Sequence, residues 1–246
     1  MEIKKISEEN GILKLLIKDL DLGYMNAIRR TVMEEIPVLA METIRIYENN
    51  SIIFDEFLAH RLGMLPIISD VKEYKKGDIA KFMVDKKGPC TVYSQDIIPV
   101  DPKTEIATKN IPLTKLKEGQ SVKMEMDALA GTGKMHTKFQ PGIVAYTQLP
   151  KIKQMKGKPE KVVQAHSTGL LEVKYNKVMA KNAYDWTPSD YEEIMKDSNL
   201  EIEFEENSFV VNVETSGAME NIEILNAAID VLNEKVEEFR KEIAKI

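Results

Sequence analysis

The last two dozen residues constrain the chain most. Ile222, Leu225, Ile229, Leu232, Val236, Phe239 and Ile243 follow one another at steps of 3, 4, 3, 4, 3 and 4. This is the a/d heptad pattern of a left-handed helix–helix seam, sustained over about three heptads. So narrow an apolar stripe is satisfied by a partner helix along its length. Ile224 and Val231 widen it enough that packing on a sheet of the same chain would also serve, so spacing alone leaves both arrangements open.

Upstream, "KKISEENGILKLLIKDL" predicts a β-hairpin turning at Asn10-Gly11. A helix is expected from about Asp21 to Glu35, ended by Pro37, and then a strand with Ile44 and Ile46 on one face. A second, short helix is expected from Asp55 as N-cap to about Gly63. From about Ile67 to Tyr146, short apolar runs alternate with Gly, Pro, Asp and Lys clusters, the rhythm of antiparallel β structure. "LPKIKQMKGKPEK" reads as a lysine-rich connector. A short helix, a hairpin and another short helix follow, and "LEIEFEENSFVVNVETSG" reads as a hairpin around Glu206-Asn207.

Several function classes are excluded or disfavoured. A single cysteine, Cys90, permits neither an internal disulfide framework nor a cysteine-based metal or iron–sulfur site. No run reaches the roughly 18–20 apolar residues of a membrane span, and the N-terminus has no signal-like apolar stretch, so a cytoplasmic location is expected. "AGTGKMH" fails the phosphate-loop pattern at both ends, with Ala128 for its first Gly and Met135 for its hydroxyl. His60, His136 and His166 lack metal-ligand spacing. No nucleophile–base arrangement emerges, so no catalytic residue is assigned. A net charge of −6 disfavours autonomous nucleic-acid binding. That alternative would rest on Arg29, Arg30 and the lysines between Lys151 and Lys161.

Helix geometry separates the adjacent arginines of "NAIRRTVMEEIP". At about 100° per residue, Met25, Ile28, Val32 and Ile36 share a side. Arg29 falls at that side's margin beside Met33, where a charge is expected to be paired. Arg30 lies on the polar face within reach of Glu34.

"NAIRR…EEIPVLAMETIRIYENNS…DEFLAHRLGMLPI" and "GTGKMHTKFQP" together resemble the D-subunit family of archaeal RNA polymerases. That family is related to the third-largest subunit of eukaryotic polymerases and to the bacterial alpha subunit's N-terminal domain. The resemblance runs in order over essentially the whole chain. It implies an α+β fold: an alpha-like dimerisation domain (antiparallel sheet plus helices, 1–48 and 200–246) interrupted by a mostly β insertion domain (49–150) and a small ferredoxin-like α/β insert (151–199). It implies a non-catalytic assembly subunit of DNA-dependent RNA polymerase, with nucleic acid contacted only through the assembled enzyme. The heptad helix would pair with the small subunit L, and Arg29 and Arg30 would face the large beta-like subunit. His60, Arg61, Lys134, His136 and Lys138 are candidates for contact with the small subunits N and P. Many relatives carry an iron–sulfur cluster in the insert. Here Trp186, Ser189, Glu192 and Lys196 stand at the four ligand positions and His166 at another family cysteine. No cofactor is therefore expected, and the insert would be held by packing around Leu170, Leu171, Val173 and Trp186.

Overall fold

A computed structural model describes residues 1–70, 73–155, 157–165, 169–197 and 199–246. His166 and Lys156 lie outside the described residues. In chain order the elements are β1 (Glu2–Glu9), β2 (Ile12–Lys18), α1 (Leu22–Glu34), β3 (Val38–Asn49), α2 (Asp55–Gly63), β4 (Ile67–Ile68), β5 (Ile79–Lys87), β6 (Cys90–Tyr93) and β7 (Ile98–Pro99). There follow β8 (Glu105–Ile106), β9 (Pro112–Leu116), β10 (Ser121–Gly131), β11 (Gly142–Gln154), α3 (Pro159–Ala165), β12 (Leu171–Lys174), β13 (Lys177–Ala180), α4 (Pro188–Met195), β14 (Leu200–Thr215) and α5 (Asn221–Ile243). The fold is α+β, and the chain divides into two compact units.

The first unit comprises Met1–Glu8, Leu13–Met25 and Ala145–Asn212. Its main sheet has the order β1-β2-β14-β11. β1 and β2 are joined through Asn10 (φ 53°) and Gly11 (φ 78°), the left-handed pair that a tight hairpin turn requires. β14 corrects one expectation. Leu200–Thr215 is a single 16-residue strand rather than a hairpin. Asn207 does adopt a positive φ of 54°, but no glycine follows to complete a reversal. The strand runs on through the left-handed residue, whose carbonyl accepts from Leu20 N at 3.2 Å.

The smaller part of this unit has its own core. Ile152, Val162, Leu171, Val178, Ile194 and Leu200 are buried together, with Leu170 and Trp186 packed against them. Val173, expected in that core, is half-buried and outside it; Val178 occupies the place on the facing strand of the β12–β13 hairpin. α4 starts with Pro188 at its first position and Thr187 capped by Asp190, whose Oδ2 accepts from Thr187 N at 2.6 Å. The lysine-rich "connector" is also corrected: its first half continues β11 to Gln154, because Ile152 points into the core.

The second unit comprises Glu9–Ile12, Asn26–Val144 and Val213–Ile246. Its principal sheet has the order β3-β10-β5-β7. β10 runs antiparallel to both neighbours, from Val122 opposite Asn49 to Gly131 opposite Val38, and from Ser121 opposite Lys87 to Leu129 opposite Ile79. Alternation places Val122, Met124, Met126 and Ala128 on one face with Phe82 and Val84. Leu58 and Leu62 of α2 complete that core, and Ile44 and Ile46 pack against it. The N-cap of α2 is Phe54, without a side-chain cap; Asp55 is the first helical residue and accepts from Asn49 Nδ2 at 2.7 Å.

Candidate functional site

α5 presents two adjacent faces. Ile224 and Ala228 are fully buried, and Asn221 and Ala227 nearly so. Asn221 Nδ2 donates to Gly11 O at 3.1 Å, which fixes the first turn. The heptad stripe is not on this face. At about 100° per residue its centre lies about 100° around the helix from the buried side. Ile222, Ile229, Val236, Phe239 and Ile243 are exposed, Phe239 by 67%, while Leu225 and Leu232 are half-buried. One side of the helix therefore packs within the chain, and the apolar heptad stripe lies on an adjacent, mostly exposed side.

In α1 the two arginines differ as helix geometry predicts. Arg29 is half-buried, its Nη1 3.6 Å from Met33 Sδ. Its Nε and Nη2 donate to Asn26 Oδ1 at 3.2 and 3.1 Å. Among the described residues Arg29 forms no ion pair; the partner it finds is the Asn26 side-chain carbonyl rather than a carboxylate. Arg30 is exposed and pairs with Glu34 at 3.3 Å. Hydrogen bonding from Arg30 holds the Glu34 carboxyl below the usual carboxylate range.

Beside α1 lies a cleft of about 610 Å³. Arg30 and Glu34 line it from the helix, Thr132 and Lys134 from the loop after β10, Lys76 from the turn before β5 and Lys235, with its partner Glu35, from another side. A smaller cleft of about 290 Å³ brings together His60, His136 and Lys138, with Glu42, Ile44 and Met64. Within it Lys138 is committed structurally: it pairs with Glu42, donates to Met41 O at 2.9 Å and lies 5.1 Å from the centre of the Phe139 ring. His136 Nδ1 accepts from Lys138 N at 3.1 Å. Arg61 donates to the Pro112 carbonyl. Of the five residues expected to contact small subunits, His60, His136 and Lys138 therefore share a cleft. Lys134 belongs to the other, and Arg61 is turned toward β9.

The family model of the RNA polymerase Rpb3/RpoA insert domain matches residues 44–145. The chain is 32% identical to the DNA-directed RNA polymerase subunit Rpo3 of Methanobrevibacter smithii, over 97% of both chains. It is 29% identical to that of Pyrococcus furiosus, over 100% of this chain and 98% of the relative. With Rpo3 of Methanocaldococcus jannaschii it shares 44% identity over 128 residues, 52% of this chain and 65% of the relative. The chain belongs to the Rpo3 family of DNA-directed RNA polymerase subunits.

As an Rpo3-family chain it is a non-catalytic subunit of a polymerase complex and its partners are other polymerase subunits. Among the described residues no three His, Cys, Asp or Glu side chains group as a metal centre requires, and no helix is long and apolar enough to cross a membrane. Trp186, Ser189, Glu192 and Lys196, the positions the resemblance singled out, have these surroundings. Trp186 Nε1 donates to Lys181 O at 3.0 Å and its ring meets Tyr191 edge-on at 5.5 Å. Lys196 pairs with Glu193 at 2.9 Å. Ser189 Oγ lies 2.8 Å from Thr187 Oγ1, and Glu192 is exposed. The lysine run is partly neutralised, Lys153 pairing with Glu203 at 2.6 Å and Glu201 at 3.5 Å, which weakens the nucleic-acid alternative further. Sequence reasoning missed Lys76, Thr132 and Lys235 as neighbours of Arg30. Contacts so distant in the chain leave no local pattern.

Proposed function

We propose that this chain is the assembly platform of its polymerase, forming a heterodimer with the small subunit L through the α5 seam. The observation that carries this is the outward heptad stripe on a helix whose other face is already packed. Arg29 and Arg30 are the docking residues for the large beta-like subunit, Arg29 through its uncommitted guanidinium donors. The small subunits N and P take the cleft that holds His60, His136 and Lys138; of the other two candidates for that contact, Arg61 is turned toward β9 and Lys134 belongs to the cleft beside Arg30. In this reading 1–48 and 200–246 form the dimerisation domain, 49–150 the β-rich insertion, and 151–199 a ferredoxin-like insert without its cluster. The complex is cytoplasmic and meets nucleic acid only as the assembled enzyme. Co-expression with subunit L and measurement of the mass in solution tests the central claim: a one-to-one complex is expected, and a stable monomer that ignores subunit L refutes it. Metal analysis of the purified chain tests the insert, where bound iron refutes the absence of a cluster.

A further inference from the structure

The cleft beside the C-terminal end of α1 is built rather than incidental. A Cβ on Gly133 would lie 1.9 Å from the Met33 carbonyl oxygen, so only glycine lets the loop press onto the helix end. Lys134 N then donates to Glu34 O at 3.0 Å, which seats Lys134 against the Arg30–Glu34 pair. Lys235 arrives from α5 already paired with Glu35 at 2.5 Å. Each glutamate thus has its own cation. Lys76 and Lys134, both exposed, form no ion pair among the described residues, leaving two positive charges in excess on a chain whose net charge is −6. Thr132, only 7% exposed, lines the same cleft, and its hydroxyl has no hydrogen-bond partner among the described residues.

We infer that this cleft receives an acidic polypeptide segment of the large beta-like subunit, with carboxylates held by Lys76 and Lys134 and a hydrogen bond made by Thr132. The inference rests on the reading that Arg29 and Arg30 face that subunit. The surroundings favour spaced carboxylates over phosphate. Phosphate sites use rows of free backbone N–H groups at glycine-rich loops or helix N-termini. Here the Lys134 N–H goes to Glu34 O and the Met135 N–H to Thr132 O at 2.8 Å, and the adjoining helix end is the negative one. Glu34 and Glu35, interleaved with the cations, would repel a dense phosphate chain but leave room for single carboxylates between them. No aromatic side chain lines the cleft to stack a base.

The test assembles the full chain with subunit L and the large subunit, and compares Lys76→Glu/Lys134→Glu, Lys76→Ala/Lys134→Ala and Arg29→Glu with the parent. Heterodimer formation with subunit L serves as the check that each variant folds. The charge-reversed pair should bind the large subunit at least about tenfold more weakly, because it sets like charges together, and the alanine pair should flatten the salt dependence of binding. Unchanged affinity and salt dependence for both lysine pairs, with Arg29→Glu weakened, overturns the cleft assignment while leaving the docking reading intact. Unchanged binding for all three overturns both. Calorimetric binding of inorganic phosphate to the parent heterodimer, lost in the alanine pair, identifies a phosphate site and overturns the acidic-peptide assignment.

Discussion

Phe239→Ala separates the two faces of α5. Phe239 is 67% exposed in the isolated chain. A phenylalanine buries about 200 Å² when fully covered, so a partner helix on the seam would remove about 130 Å² more from water, worth about 3 kcal/mol at about 25 cal/mol per Å². Alanine retains a small part of this. The substitution should therefore cost the heterodimer about 2 to 3 kcal/mol, weakening it about 30- to 150-fold. The isolated chain should hardly notice, since exposed positions usually shift stability by about 0.5 kcal/mol or less. Ile224→Ala provides the contrast: Ile224 is 0% exposed, and truncation should cost folding about 2–5 kcal/mol. Titration calorimetry with subunit L and thermal unfolding of the isolated variants give the two numbers. If Phe239→Ala binds subunit L as tightly as the parent, the seam does not face that subunit. If it instead destabilises the isolated chain as much as Ile224→Ala does, the stripe is internal packing and not a seam for a partner.

Gly133→Ala should destabilise the chain by at least about 2 kcal/mol, seen as a lower Tm, because the new methyl meets the Met33 carbonyl rather than a mobile side chain; an unchanged Tm would mean the loop retreats freely. Ile194→Ala, at a fully buried site in the small insert core, should cost about 2–5 kcal/mol, checked by hydrogen exchange across 170–200, where unaltered protection would contradict an insert held by packing. The Asp127 carboxyl is held low by its 2.7 Å hydrogen bond from Arg45. That contribution is present above the ordinary carboxylate pKa of about 4 and fades as pH falls through the depressed folded value. Unfolding curves of the parent and Asp127→Asn should accordingly converge in acid. Burial and the hydrogen bond to Asp101 push the Tyr74 hydroxyl up to about 12. Its stabilisation is intact below the unfolded value of about 10 and lost as pH rises through the folded one, so Tyr74→Phe should lack that alkaline loss of stability in denaturant titrations.

Local patterns were readable wherever one physical cause acts over a few residues. Asn10-Gly11 marks its turn because both residues tolerate a positive φ, and the alternation in β10 follows from one buried face. Thr187-Pro188 with Asp190 announces the start of α4. The failures share a cause as well. Glu206-Asn207 carries half of a turn signal, and pairing within the sheet carries the strand on through the left-handed asparagine instead of reversing it. In "LPKIKQ" the lysines conceal a strand, because exposed Lys151 and Lys153 alternate with buried Ile152. Tertiary packing overrode composition in both places.

The division of α5 explains why periodicity could not choose between a seam and a core helix. A period of seven reports that a stripe exists, not how many stripes the helix carries. Ile224, Ala227, Ala228 and Val231 form a second, flatter stripe whose small alanines hardly register as hydrophobic signal. Alanine lets a helix lie close against its support while leaving bulky side chains for the neighbouring face. The seam's large residues, exposed on a helix already anchored through Asn221, are thus held in place before a partner arrives. Ordering costs on association then fall mainly on side chains rather than on the helix itself. A helix anchored along a narrow alanine-rich face and displaying Ile, Leu, Val and Phe beside it is what a preformed docking rail requires, and shortening it past Val236 should remove the two most distal contacts, Phe239 and Ile243, without unfolding the anchored first half.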